Sequence, residues 1–139
     1  MNKLDLDALN RLTGVILDAA MRVHREMGPG LLESVYQECL VKELSSRGMK
    51  VVTQARVPLH YLGEPLTKDY FIDILVEDEI ILELKTVDEI LPVHKAQILS
   101  YLKLSNKRIG LLINFKVKLL KHGFKRFING CNSKPFQSY

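Results

Sequence analysis

At 139 residues, with 47% hydrophobic and 26% charged side chains, the chain has the size and balance of one globular domain with a real core. No apolar run is long enough to cross a bilayer, and two cysteines far apart, Cys39 and Cys131, exclude a disulfide scaffold or a cysteine metal site. The net charge of +4 hides an asymmetry: residues 1–89 hold all 16 acids with 10 Lys/Arg, and residues 90–139 hold 10 Lys/Arg and no acid. A basic half beside an acidic one suits a polyanion docking next to a cation-binding site, or a basic surface kept for solubility. The start of the chain carries no signal-peptide pattern, so the expected address is cytoplasmic.

Leu9, Leu12, Ile16, Ala19, Ala20, Val23 and Met27 recur at three- and four-residue spacing and predict a helix over about 5–27, capped by Asp5 or Asp7. Gly28-Pro29-Gly30 breaks it. A second helix is expected over about 31–47, with Leu32, Val35, Tyr36, Cys39, Leu40 and Leu44 as its apolar face and Gly48 as its stop. Residues 50–61 read as a strand that Pro58 confines to an edge or a bulge. Leu62-Gly63-Glu64-Pro65 is a turn. After a central hairpin, a connector over 87–92 leads to a third helix over about 93–104, ended by Asn106-Lys107. An apolar strand covers 108–115 and a last β-like segment 123–128. The tail, 131–139, reads as mobile and 1–130 as one domain. The order ααβββαβ(β) predicts an α/β fold with a mixed sheet flanked by helices, and a crossover from the second hairpin strand through the third helix to the next strand.

The hairpin, residues 70–85, carries the chemistry. Turning about Asp78, it places Asp73 opposite Glu83, with Lys85 on the face of Glu83. By strict alternation Phe71, Asp73, Leu75, Ile81, Glu83 and Lys85 share one face, and Ile72, Ile74, Val76, Ile80, Leu82 and Leu84 the other. Two carboxylates about 5 Å apart at an effective dielectric of about 20 repel by roughly 3 kcal/mol. Lys85 offsets part of that cost and a divalent cation more; Mg²⁺ takes one or two carboxylates with waters and phosphate oxygens. An ordinary salt bridge on a solvated sheet face is the competing account, and Phe71 and Ile81 on the same face argue against it.

Elsewhere the residues leave pairs of readings open. Glu33 stands on the second helix three residues from Tyr36 and four from Gln37; it is either a third carboxylate, if that helix packs over the polar face of the hairpin, or a first-turn acid favoured by the helix dipole. Gln97 and Tyr101 share a face of the third helix at i, i+4. Tyr101 either anchors that helix or reaches a phosphate or carboxylate with its hydroxyl. His94 fits the start of the third helix.

Asp73 followed by Glu83-Leu84-Lys85 resembles the PD-(D/E)XK nuclease signature, with Ile72 in the place of its proline. Gln97 and Tyr101 resemble the Gln-x-x-x-Tyr element of the RecB-like branch, and Gly30, Glu33 and Tyr36 match the motif of the GxxExxY protein family. The resemblance covers about residues 10–130 and implies a restriction-endonuclease-like fold. It implies that Asp73, Glu83 and the backbone carbonyl of Leu84 hold Mg²⁺ or Mn²⁺, with Glu33 as a further carboxylate and His24 as an added ligand. For His24, a surface histidine is the competing account.

The activity implied is hydrolysis of phosphodiester bonds in nucleic acid, DNA before RNA, with Lys85 holding the attacking water and Gln97 and Tyr101 orienting its surroundings. Lys95, Lys103, Lys107 and Lys116 would grip the backbone without reading sequence. A domain this small would enclose a duplex only with a second copy or a partner protein. The alternatives are a module that keeps the fold but only binds nucleic acid, or an acidic face that binds another protein. A glycosidase pair fits less well, since that chemistry does not call for Lys85 and the chain has no tryptophan for sugar stacking.

Overall fold

The computed structural model describes residues 4–130. Two helices, α1 (Leu6–Met27) and α2 (Glu33–Ser46), precede a three-stranded meander, β1 (Val51–Tyr61), β2 (Glu64–Val76) and β3 (Ile80–Lys85). Helix α3 (Pro92–Ser105) crosses to β4 (Ile109–Asn114), and a 3₁₀ turn (Leu120–His122) leads to β5 (Phe124–Ile128). The sheet runs β1-β2-β3-β4-β5, antiparallel except for the β3–β4 pair, which the α3 crossover makes parallel. This is the expected mixed sheet flanked by helices. The proposed tail, with Cys131, lies outside the described residues.

Local chemistry sets the boundaries. The Asp5 carboxylate accepts from Ala8 N–H at 2.7 Å and caps α1. His94 Nδ1 accepts from Leu91 N–H at 2.9 Å at the start of α3, and Asn106 closes that helix in the left-handed conformation. Leu62-Gly63, both at positive φ, turn β1 into β2, so β2 begins six residues before the expected hairpin and the β1–β2 ribbon extends well beyond the sheet. β1 is an edge strand, and its register slips between Pro58 and His60, as its proline requires.

Two apolar layers clamp the sheet. On one face Leu9, Ile16 and Val23 of α1 and Tyr36, Leu40 and Leu44 of α2 pack on Ile74, Val76, Ile80, Leu82 and Leu84. On the other, Leu102 of α3 packs with Val57, Ile72, Leu75 and Ile81. Ile72 was expected beside Ile74 and sits instead on the α3 side. The alternation breaks at Asp73, where β1 is irregular too: Gln54 lies between the pairs Thr53↔Ile74 and Ala55↔Ile72 and takes φ +50°. Tyr70 follows Ile72 onto the α3 side, edge-on to Tyr101 with ring centroids 5.0 Å apart. Phe71 consequently turns to the opposite face, away from the side assigned to it with Leu75 by strict alternation.

Candidate active site

The β2–β3 ladder pairs Val76 with Ile80, Leu75 with Ile81 and Ile74 with Leu82, then stops. That register places the turn at Asp78 and Asp73 across from Glu83, as the sequence predicts. Beyond it the strands part. Leu84 N–H, with no β2 carbonyl to meet, donates to Asp73 Oδ2 at 2.9 Å. The N–H and C=O of one strand residue point to the same side, and Lys85 C=O is turned towards β4, where it accepts from Phe115 N–H. The Leu84 carbonyl is therefore directed into the same gap as the Asp73 carboxylate.

Glu83 is buried, 6% exposed, and its Oε1 has no hydrogen-bond partner. A buried carboxylate oxygen without a donor is costly and calls for a proton or a cation. Burial first, then a hydrogen bond to Asp73 and its charge, push the Glu83 carboxyl up to about 10, against an opposing pull from Lys85. Burial and the neighbouring Asp73 charge thus favour the protonated form of Glu83 until a cation takes the place of that proton.

Glu33 enters from the opening of α2. That helix packs on the aliphatic face of the hairpin, not on its polar face, and its first residue, Glu33, lies close enough to Asp73 and Lys85 to feel their charges. Burial and the Asp73 charge raise the Glu33 carboxyl while Lys85 lowers it, so Glu33 is an electrostatic neighbour of both. Its position depends on the loop before it. Tyr36 stacks on Phe115 with ring centroids 4.4 Å apart, donates its hydroxyl hydrogen to Gly28 C=O and accepts from Leu31 N–H at 3.1 Å. Gly28 and Gly30, at φ +72° and +102°, give the loop the path that this tyrosine pins. The Gly-x-x-Glu-x-x-Tyr spacing is thus a device that fixes one carboxylate at a helix start.

From the other face α3 contributes Tyr101. Burial first, then Glu83, Tyr70 and Asp73, hold its hydroxyl above the ordinary phenol range. Gln97, one turn earlier, is exposed, and no polar contact ties it to Lys85. The structure thus brings Glu33, Asp73, Glu83, Lys85 and Tyr101 together and leaves Gln97 at the rim.

His24 lies elsewhere. It is buried, with Nε2 2.8 Å from Val117 C=O and its ring beside Phe115, and it lines a cleft without a carboxylate. Its place in the expected ligand set is not what the structure gives it; it holds the segment after β4 to α1. The expected backbone-gripping lysines also separate. Lys95 stands in the first turn of α3, and Lys116 follows β4 at the Lys85 end of the sheet, paired with Asp88 at 2.7 Å. Lys107 donates to Asp78 C=O at 2.7 Å in the hairpin turn, beyond the Ile80 end of β3, which is itself five residues and about 17 Å of strand from Lys85. Lys103 is in the last turn of α3, at the same far end.

Asn114 was not expected to matter. Its buried side chain donates to Val87 C=O and accepts from Val87 and Lys116 N–H, joining the loop after Lys85 to the loop after β4. An amide interrupting the apolar run Ile109–Phe115 was the available signal.

Among the described residues, no three His, Cys, Asp or Glu side chains form a ready-made metal cage. A hard cation such as Mg²⁺ needs fewer, since it keeps waters and takes phosphate oxygens. Asp73, Glu83 with its unpartnered Oε1, and the Leu84 carbonyl fit that requirement.

Two acids at the parting of a β-hairpin, a lysine two residues on, a crossover helix over one face and a parallel fourth strand define a nuclease-type α/β domain. A family model for the PD-(D/E)XK nuclease superfamily matches residues 10–127, and the chain belongs to that superfamily. Neither the curated proteins nor the solved structures contain a match. No helix among the described residues is long and apolar enough to cross a membrane.

Proposed function

We propose that this protein is a divalent-metal-dependent nuclease that hydrolyses phosphodiester bonds, with DNA as the preferred substrate. Within the superfamily we assign it to the GxxExxY family of the RecB-like branch, on Gly30, Glu33 and Tyr36 and on Gln97 and Tyr101. The observation that carries the reading is the buried, unpartnered Oε1 of Glu83 beside Asp73.

Asp73, Glu83 and the Leu84 carbonyl would hold Mg²⁺ or Mn²⁺, with Glu33 as an outer carboxylate. When bound, the cation supplies an acidified water and a polarised phosphoryl oxygen. The residues do the rest. Asp73 keeps its place through its bond to Leu84 N–H. Lys85 orients the attacking water and counters the charge that develops on phosphorus-bound oxygen. Tyr101 lends its hydroxyl to a phosphate oxygen or to the carboxylates, and Gln97 meets the strand at the rim. Lys95 and Lys116, at the Lys85 end of the sheet, hold flanking backbone; Lys103 and Lys107 would touch only a longer substrate. We place the activity in the cytoplasm, with a homodimer or a partner protein completing the enclosure of a duplex.

Single- and double-stranded DNA and RNA incubated with the protein test this directly. DNA should be cut with Mg²⁺ or Mn²⁺ and left intact with chelator, and Asp73→Ala and Lys85→Ala should each abolish cutting while the protein stays folded. Cutting that survives both substitutions overturns the assignment.

A further inference from the structure

The last turn of α1 and the segment after β4 enclose a cleft of about 370 Å³ whose ionisable lining is His24, Arg25 and Lys118, with Pro29 at its edge. That volume falls within the roughly 300–1,000 Å³ usual for ligand pockets. Its charge is unusual for this molecule. The cleft between α2 and β1 sets Lys42 against Glu38, that between β1 and α3 sets Arg56 and Lys107 against Asp78, and that between α1 and α2 sets Arg22 and Lys42 against Glu26 and Glu43. Here there is no acid. Glu26, next to Arg25 in sequence, lines the α1–α2 cleft instead. Among the described residues neither Arg25 nor Lys118 has an ion-pair partner, although both are exposed in a chain with 16 acids.

The cleft is tied to the carboxylate site at two points. His24 Nε2 at 2.8 Å from Val117 C=O fixes the segment that carries Lys118. Phe115, three residues before Lys118, accepts the stacked ring of Tyr36 and donates its N–H to Lys85 C=O at 2.9 Å. Lys118 is therefore no more than about 11 Å of chain from the residue bonded to Lys85. The wall on the α1 side continues through Pro29 into the loop that Tyr36 pins in front of Glu33.

We propose that this Arg25–Lys118 cleft binds a phosphate of the nucleic-acid strand next to the one held at Asp73 and Glu83, and so sets the path of the substrate past the loop before Glu33. The proposal rests on the nuclease reading for its ligand. His24 is the positioning residue of the cleft: it holds Val117, and through it the loop that brings Lys118 into the lining beside Arg25.

The test is binding of a short fluorescent single-stranded DNA, measured by anisotropy over a range of salt in the presence of Mg²⁺, in a Lys85→Ala background so that the strand stays whole. Arg25→Ala with Lys118→Ala should weaken binding about tenfold, as loss of a charge-assisted phosphate contact does. The slope of log affinity against log salt should fall by about 0.7, one single-strand phosphate. Arg25→Lys should keep most of the affinity, and Lys125→Ala, which removes a charge from β5, should change it less than twofold. Comparing 5′-hydroxyl and 5′-phosphorylated strands separates the sources of the phosphate: equal losses assign an internal phosphate, and a loss confined to the phosphorylated strand assigns a terminal one. An unchanged affinity and slope in the double variant overturns the proposal, as does an equal loss from Lys125→Ala or a lack of salt-dependent binding by the parent. If the unsubstituted protein cuts DNA and the double variant binds as its parent does, the cleft falls and the nuclease reading stands. If the protein never cuts but the double variant loses binding as stated, the cleft stands and the hydrolytic reading falls.

Discussion

Asp73 Oδ2 accepts the N–H of Leu84 at 2.9 Å, so one carboxylate of the site also completes the backbone of the strand that bears the other. The two duties come apart on substitution. Asp73→Asn keeps an acceptor for Leu84 and loses the charge; Asp73→Ala loses both. We expect Asn to be more stable than Ala by about 1 kcal/mol, the worth of a typical hydrogen bond. Both should lose the rise in melting temperature on adding Mn²⁺. Equal melting temperatures for the two variants would show that the bond does not hold the strand.

The raised Glu83 carboxyl makes the metal-free protein pH-dependent. In the unfolded chain this acid gives up its proton near 4.5, whereas the folded protein keeps it up to about 10. Between those values the native state binds the extra proton, so stability falls as pH rises, by up to about 1.4 kcal/mol per pH unit. Thermal denaturation in chelator from pH 6 to 9 should show that decline, and Glu83→Gln should flatten it. Added Mg²⁺ replaces the proton, so its stabilising effect should grow with pH. A decline that persists unchanged in Glu83→Gln would assign it to another group.

Tyr36→Phe keeps the ring on Phe115 and removes the hydroxyl that ties Gly28 to Leu31. The expected cost in stability is about 1 kcal/mol. The expected fall in cutting rate is larger, because Glu33 loses its fixed place. Glu33→Gln should reproduce the fall in rate without the loss of stability. A Tyr36→Phe protein that cuts as fast as its parent would show that the loop needs no pin.

At Gly123, an added Cβ would stand 2.3 Å from Asn114 C=O. Gly123→Ala must therefore push β5 away from the end of β4, beside the amide that joins the loops after Lys85 and Asn114. We expect a loss of about 1–3 kcal/mol, the range for overpacking, read as a lower denaturation midpoint. Asn114→Ala should match it, since it strands the N–H groups of Val87 and Lys116. A Gly123→Ala protein that unfolds at the parent midpoint would show that the sheet edge yields freely.

Much of this was legible in the residues. The turn at Asp78 follows from the two apolar runs, and the ladder Ile74↔Leu82 keeps that register. The α3 crossover follows from the spacing between Lys85 and the Ile109 run. The side of Ile72 and Phe71 was not legible, because period-two alternation assumes an unbroken strand and β2 changes face at Asp73. Nor was the position of His24: a histidine on a helix shows neither which face is occupied nor that a carbonyl 93 residues away, on Val117, meets it. The same blindness to distance hid the pairing of Lys107 with Asp78, which sets that expected backbone-gripping lysine at the end of the sheet away from Lys85.

The bulge at Pro58 has a consequence for solubility. β1 leaves one margin of the sheet open, and an open margin invites a strand from another molecule. Proline has no N–H to offer, and the slip between Pro58 and His60 puts the neighbouring groups out of step with any incoming ladder. The opposite margin, β5, carries Lys125 and Arg126 with no compensating acid. Both borders of the sheet thus discourage edge-to-edge strand pairing, which lets the β1–β2 ribbon project Tyr61, Leu62 and Leu66 into water without templating aggregates.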